Sequence, residues 1–317
     1  MIGFFQDIFH AILTPLEYLT SGILILWHDL FHGLLHMSQG WSWALSIVFL
    51  TVVIRIALIP LFVKQIKNSR NLQLLQPKVR ELQKKYGHDR ERLTQETMKL
   101  YKETGTNPLA SCLPLLLQMP IFLALFRTLN AAADGHGVGF LTDVQALTLA
   151  NGEIFGVKIS DSFRDANGQL SVQLLTISLV ILMTITTFTT QRQLMRKNMP
   201  ESALTGQYAQ QQKILLYVLP VVFAVGGIAF PIGVLLYWTT SNLWTMGQQF
   251  YVIRNNPTPG TPAFEAKKAR DARRHHGSST QAEPGAPGGT VVTEEQPKTP
   301  PRLQPKKQTR SQRKKGK

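Results

Sequence analysis

Charge is nearly absent from four long stretches of this 317-residue chain. No Asp, Glu, Lys or Arg occurs from Leu109 to Phe126, from Ala166 to Gln191 or from Ile214 to Ile253, and Arg55 alone interrupts Trp41 to Val63. A helix rising about 1.5 Å per residue needs about 20 apolar residues to cross a hydrocarbon layer, so the three shorter stretches each read as one span. The last has 40 residues and is broken by Gly226-Gly227 and Phe230-Pro231-Ile232-Gly233, which supply a turn between two antiparallel spans. Five spans are expected, at about 41–63, 108–129, 170–191, 214–229 and 231–253. The mean hydropathy of −0.02 hides them, because it averages apolar runs with a basic remainder of net charge +15.

Basic residues concentrate on the cytoplasmic side of membrane proteins, so the connections between spans set the orientation. Lys64 to Asn107 carries 11 basic and 5 acidic residues, whereas Asn130 to Leu170 carries 2 basic and 5 acidic. Arg192, Arg196, Lys197 and Lys213 place the third-to-fourth connection inside, and the chain from Arg254 onward has 15 basic against 5 acidic residues. The N-terminus is therefore expected outside and the C-terminus in the cytoplasm. No cleavable secretory signal is expected, since no basic residue precedes Arg55.

Residues 1–40 form an extracytoplasmic segment. Within it Gly22 to Met37 places His28, His32 and His36 at four-residue steps opposite Ile23, Ile25, Leu26, Leu30, Leu34 and Leu35, which predicts an amphipathic helix in the outer interface, with a sixth span as the alternative. Residues 64–107 combine helix formers with Leu72, Leu75, Val79, Leu82, Leu93, Met98 and Leu100. With Gly87 at the turn, Asp89 as N-cap and Pro77 in a first helical turn, they predict a charged helical hairpin in the cytoplasm. Residues 256–317, rich in Pro, Gly, Ser, Lys and Arg, are expected to be a disordered basic tail ending in the run Lys306 to Lys317.

Arg55 lies roughly 14 to 21 Å from either end of its span. A guanidinium at that depth costs from about 3 to more than 10 kcal/mol unless it faces a partner or a wet cavity. No Asp or Glu occurs in any span. Oxygen is offered instead by Thr184, Thr186, Thr187, Thr189, Thr190 and Gln191 in span three and by Gln118 in span two. Span five offers Tyr237, Trp238, Thr239, Thr240, Ser241, Asn242, Trp244, Gln248 and Gln249. These describe a groove with hydroxyl and amide walls and one positive charge; polar contacts that merely join helices are the alternative for any one residue.

The histidine face lacks a third metal ligand at useful spacing, and the single cysteine, Cys112, allows no intrachain disulfide or thiolate cluster. No nucleophile and base pair, paired intramembrane carboxylates or phosphate-binding loop is present, so neither a catalytic site, a metal nor a cofactor is expected.

Several motifs resemble those of the YidC/Oxa1/Alb3 membrane protein insertases. They are Val53-Ile54-Arg55, Pro60, Lys64-Gln65, Gln76-Pro77-Lys78, Gln83-Lys84-Lys85-Tyr86, Tyr101-Lys102, Asn107-Pro108, Cys112-Leu113-Pro114 and Gln118-Met119-Pro120-Ile121-Phe122, then Leu236-Tyr237-Trp238 and Ser241-Asn242. The similarity covers about residues 41–255 and is to the five-span bacterial form, with an actinobacterial-like tail. It implies an all-α polytopic protein of a bacterial plasma membrane, five transmembrane helices enclosing a hydrophilic groove, and a cytoplasmic helical hairpin. By motif position Arg55 matches the groove arginine, and Gln191 and Trp238 look groove-facing; Gln118, Thr187, Tyr237 and Asn242 complete the expected substrate groove.

The resemblance implies a non-enzymatic insertase and chaperone. The groove would capture hydrophilic segments of nascent membrane proteins while their apolar helices pass into lipid, alone or with the Sec translocon. The basic tail could bind ribosomal RNA or anionic lipids by the same counterion physics. Two other classes remain open on the residues alone: a small-solute or ion transporter, and a membrane-anchored ribosome-docking scaffold.

Overall fold

The computed structural model describes residues 2–107, 113–164, 166, 168–199 and 206–278. Residues 1–273 form one compact unit and 274–317 a second, of which only 274–278 are described. Cys112 and the basic run Lys306 to Lys317 lie outside the described residues.

The elements in chain order are α1 (Ile2–His28), a π-helical segment (Asp29–Leu34), α2 (Gln39–Ala57), α3 (Ile59–Tyr86), α4 (Arg90–Glu103), α5 (Leu113–Ala133) and α6 (Asp143–Ala150). They continue with β1 (Glu153–Ile154), β2 (Val157–Lys158), α7 (Leu170–Asn198), α8 (Gly206–Gly227), α9 (Ile232–Asn255) and α10 (Pro262–Ser278). All five expected spans are helical where described. Among the described residues α2 and α7 are long and apolar enough to cross a membrane. The two short antiparallel strands are a small departure from an all-α chain.

α2, α9, α5 and α1 pack in a ring, each against the next, with α7 on the outside of α9 and α8 on α7. α7 and α8 turn apolar side chains outward: Leu174, Ile177, Ile181 and Ile185 on the first, Ile214, Val218, Val221, Val222 and Val225 on the second, all exposed. Positions three to four residues apart share a helix face, so each helix presents an apolar stripe of the kind lipid covers. Hydroxyls in α2 and α7 are largely satisfied within their own helices, as with Ser46 to the Ser42 carbonyl and Thr190 to the Thr186 carbonyl.

The N-terminal segment differs from the expectation. α1 is one 27-residue helix that starts well before Gly22. It buries Leu13, Glu17, Thr20, Ser21, Leu24 and His28 while exposing Ile12, Leu19, Leu26 and, in the following turn, Leu30 and Leu34. Its polar stripe faces protein and its apolar stripe faces out, and Arg127 of α5 lies 3.2 Å from Glu17. His28 and His32 share a face, their ring centres 5.3 Å apart and stacked, but His36 has left the helix at φ 54°. The His28 ring stacks on Trp43 at 3.8 Å and its Nε2 is 2.8 Å from Gln39 Oε1.

α3 and α4 form a helical hairpin, with Asp89 accepting a hydrogen bond from the Arg92 amide at 3.0 Å. Leu75 and Val79 are buried, but Met98 is exposed. Pro77 is not in a first turn. α3 starts at Ile59, so Pro60 occupies the first turn and Pro77 lies inside the helix. The two ends of the hairpin are clasped where Asn68 donates to the Asn107 carbonyl and accepts from its amide. The tail expectation also needs correction. Residues 262–278 form a helix, because Pro262 opens a run of Ala, Glu, Lys and Arg, all strong helix formers, that the composition of the whole tail had diluted. Lys267 and Arg270 donate to the carbonyls of Asn255 and Arg254, closing the end of α9.

At the other end of the bundle, residues 134–164, 166, 168 and 169 pack as a cap. Leu141, Ala146, Leu149, Ile154, Val157 and Ile159 join the same apolar core as Trp43, Ile47, Leu125 and Ile232. The α8–α9 turn is pinned to it, with the Ile232 amide donating to Asp161 O at 2.9 Å and the Gly233 amide to Ile159 O at 3.0 Å. Gly40 lies directly against the Glu153 backbone, where any Cβ would overlap it. Gly40→Ala should therefore lower the thermal unfolding midpoint in detergent, at a cost of about 1–3 kcal/mol. Gly226→Ala, whose added methyl meets nothing, should leave that midpoint unchanged or slightly raised.

Candidate functional site: the Arg55 seam and the cleft beside it

Arg55 is in the last turn of α2, four residues before the α2–α3 break. The break follows from Pro60, which lacks the amide that would continue the ladder. Leu58 still donates to Ile54, and Phe62 to Leu58, so the two helices stay nearly in line. Phe62 returns over Arg55 two turns later, its ring centre 5.7 Å from the guanidinium carbon.

The guanidinium Nη2 donates to Ser241 Oγ on α9. Among the described residues no carboxylate pairs with it. One turn earlier on α9, Tyr237 accepts a hydrogen bond from Gln118 of α5. Thus α9 carries on a single face the groups that meet α2 and α5. Arg55 is only 8% exposed and Tyr237 only 2%, so this is a closed polar seam between helices. Ser241 and Phe62 lie against the charge.

The other expected site residues separate into three places. Asn242 donates to Thr187 Oγ1 at 3.0 Å, tying α9 to α7 on the face next to the seam. Trp238 sits in an aromatic cluster with Phe122, Phe223 and Phe230, its ring centre 4.8 to 5.8 Å from theirs. Gln191 is half-buried near the C-terminal end of α7. The threonines of α7 do not reach Arg55; Thr184, Thr186, Thr187 and Thr190 return their protons to their own helix. Ser241 was named from sequence among the polar residues of span five, outside the expected groove set, and Phe62 was not singled out. A signal was present, since Ser241 is four residues after Tyr237 and Phe62 is seven after Arg55, both helical repeats.

The open space lies one turn further along. A cleft of 690 Å³ runs between α3 and α9, lined by Ile59, Val63, Ile66, Leu243, Tyr251 and Val252, with Trp244, Gln248 and Asn256 as its polar groups. Trp244 donates to Gln248 Oε1 at 3.0 Å. Ile59 follows Arg55 by one turn and Trp244 follows Ser241 by nearly one, so the cleft continues the seam on both walls. The cap closes the far end, leaving the cleft on the hairpin side.

Residues 34–259 match the family described as "60Kd inner membrane protein". The chain is 46% identical over 269 residues to "Membrane protein insertase YidC" of Streptomyces avermitilis, an alignment covering 82% of this chain and 63% of the relative. It is 38% identical over 281 residues to the protein of that name from Tropheryma whipplei (strain Twist), covering 83% of this chain and 90% of the relative. Among solved structures, "Active YidC insertase crystal structure with the first transmembrane domain resolved" is similar at a TM-score of 0.46 and 23% identity. That match covers 74% of this chain and 46% of the other. The family match takes in α2 to α9 whole, with the seam, the cleft and the cap, and on that extent the chain belongs to the 60Kd inner membrane protein family.

Proposed function

We propose that this protein is a non-enzymatic membrane protein insertase and chaperone that receives nascent membrane proteins at the cleft between α3 and α9. It crosses the bacterial plasma membrane five times, through α2, α5, α7, α8 and α9. The N-terminus is outside and the hairpin and C-terminus are in the cytoplasm. The observation that carries the reading is a buried guanidinium held by one neutral hydroxyl beside an open cleft.

A carboxylate brings an opposite charge to an arginine and accepts two parallel hydrogen bonds from it, where a neutral hydroxyl accepts one. An acidic or strongly polar segment of a substrate arriving through the cleft is therefore a better ligand for Arg55 than Ser241 is. Exchange of that partner opens the seam between α2 and α9, and the polar wall formed by Ser241, Tyr237, Gln118, Asn242 and Thr187 then lines the path. The substrate's apolar helix leaves into lipid, where burial of apolar surface provides the driving force. The cap keeps the outer end shut while the inner mouth is loaded. Ribosomes, the Sec translocon and anionic lipids are further proposed partners, the first through the basic tail.

Two measurements test this. Arg55→Ala should strongly impair insertion of a single-span substrate with an acidic outer tail into proteoliposomes, and Arg55→Lys should retain part of it, since Lys preserves charge and loses the fork. Unimpaired insertion by Arg55→Ala would remove the arginine from the mechanism. In the resting protein, Ser241→Ala should destabilise by about 1.5–3 kcal/mol because it orphans a buried charge. The cost should shrink when Arg55 is replaced by Met in the same chain; additive losses in that cycle of thermal unfolding measurements would mean the two are uncoupled.

A further inference from the structure

The inner ends of α7 and α8 enclose a second cavity, of 430 Å³, that the insertase reading leaves without a role. Its lining divides in two. Arg192 and Arg196 of α7 and Lys213 of α8 supply three cationic heads, and Phe188, Met195, Leu216 and Tyr217 supply an apolar floor. The three cations are exposed, and among the described residues none forms an ion pair or a hydrogen bond. The floor is built: Met195 and Leu216 are buried in a small core with Met199 and Phe188, and the Phe188 and Tyr217 rings lie 6.2 Å apart.

The surroundings of this cavity decide what fits it. From Ile214 an outward apolar stripe continues through Tyr217, Val218, Val221, Val222 and Val225, all exposed. That stripe covers 11 residue steps, about 16 Å of helix, close to the thickness of one leaflet's hydrocarbon. Cations therefore sit at one end of an apolar track on the outside of the bundle, at the depth where a headgroup meets the acyl region. A free anion would use the cations and leave the track uncovered; RNA would use the cations and be repelled by the exposed apolar stripe. A molecule with a phosphate at one end and a hydrocarbon chain at the other uses both.

We infer that the cavity between the inner ends of α7 and α8 is a binding site for an anionic phospholipid of the cytoplasmic leaflet. The phosphate lies among Arg192, Arg196 and Lys213, and an acyl chain runs over Phe188, Leu216 and Tyr217 along α8. The site rests on the membrane-crossing arrangement proposed above and is independent of insertion itself. It also gives α8, which packs chiefly on α7, a second partner in the lipid.

The test uses the full chain in nanodiscs containing phosphatidylglycerol and phosphatidylcholine, followed by native mass spectrometry of lipids retained after release. The unaltered protein should retain phosphatidylglycerol in preference to phosphatidylcholine. A variant with Arg192→Gln, Arg196→Gln and Lys213→Gln should lose roughly tenfold or more of that retention, since each basic side chain near an anionic surface is worth about fivefold. Tyr217→Ala should weaken retention while leaving the cations in place, and Arg192→Lys should keep most of it. Equal retention by the triple variant, with unchanged helicity and melting, would overturn the site. So would competition by inorganic phosphate as effective as that by the lipid, or a triple variant that loses ribosome cosedimentation and keeps its phosphatidylglycerol. Nanodisc incorporation and lipid retention are read without any substrate protein, so a failed insertion assay leaves this result interpretable.

Discussion

A guanidinium inside an apolar helix obliges other parts of the chain to bring it oxygen or a ring face, and in this protein that obligation fixes the bundle. Ser241 answers from α9 and Phe62 from α3. Because Tyr237 is one turn from Ser241, docking α9 on α2 also aims Tyr237 at Gln118 of α5. Three helices are thus indexed against one another by two polar contacts in otherwise apolar surroundings. Polar contacts between membrane helices contribute modestly each, yet they are directional, and apolar packing alone would not select this rotation of α9.

The two ends of the bundle are built on opposite principles. At the cap, backbone meets backbone: Gly40 against Glu153, and the α8–α9 turn against the strand-bearing loop. Such contacts have no slack, since they depend on missing side chains and main-chain hydrogen bonds. At the hairpin end the contacts are side chain to main chain, as with the Asn68–Asn107 clasp and the cations of α10 on α9. The intervening space is an apolar cleft.

Much of this was legible in the sequence, for identifiable reasons. The five expected spans fell on helices because uncharged runs of sufficient length have few other folds, and the hairpin followed from Gly87 and the Asp89 cap, which are local signals. Arg55 announced itself by its cost. What escaped was long-range or diluted. Whether Arg55 met hydroxyls on α7 or on α9 depended on helix rotation, which no local pattern encodes. Neighbouring residues on a helix point about 100° apart, so although Tyr237 and Trp238 both meet Phe122, only Trp238 goes on to Phe223 and Phe230. α10 was hidden by averaging over a tail whose remainder is Pro- and Gly-rich, and the exit of His36 from the helix by the assumption of an uninterrupted 3.6-residue period.

The near-collinear junction at Leu58 to Pro60 makes a lever of the helices on either side. α3 extends about 42 Å beyond it, while Arg55 is only about 5 Å before it. A swing of about 10° at the missing hydrogen bond carries the hairpin tip through about 7 Å and displaces the arginine by less than about 1 Å. Swings of the hairpin are geared down roughly eightfold by the time they reach the buried charge.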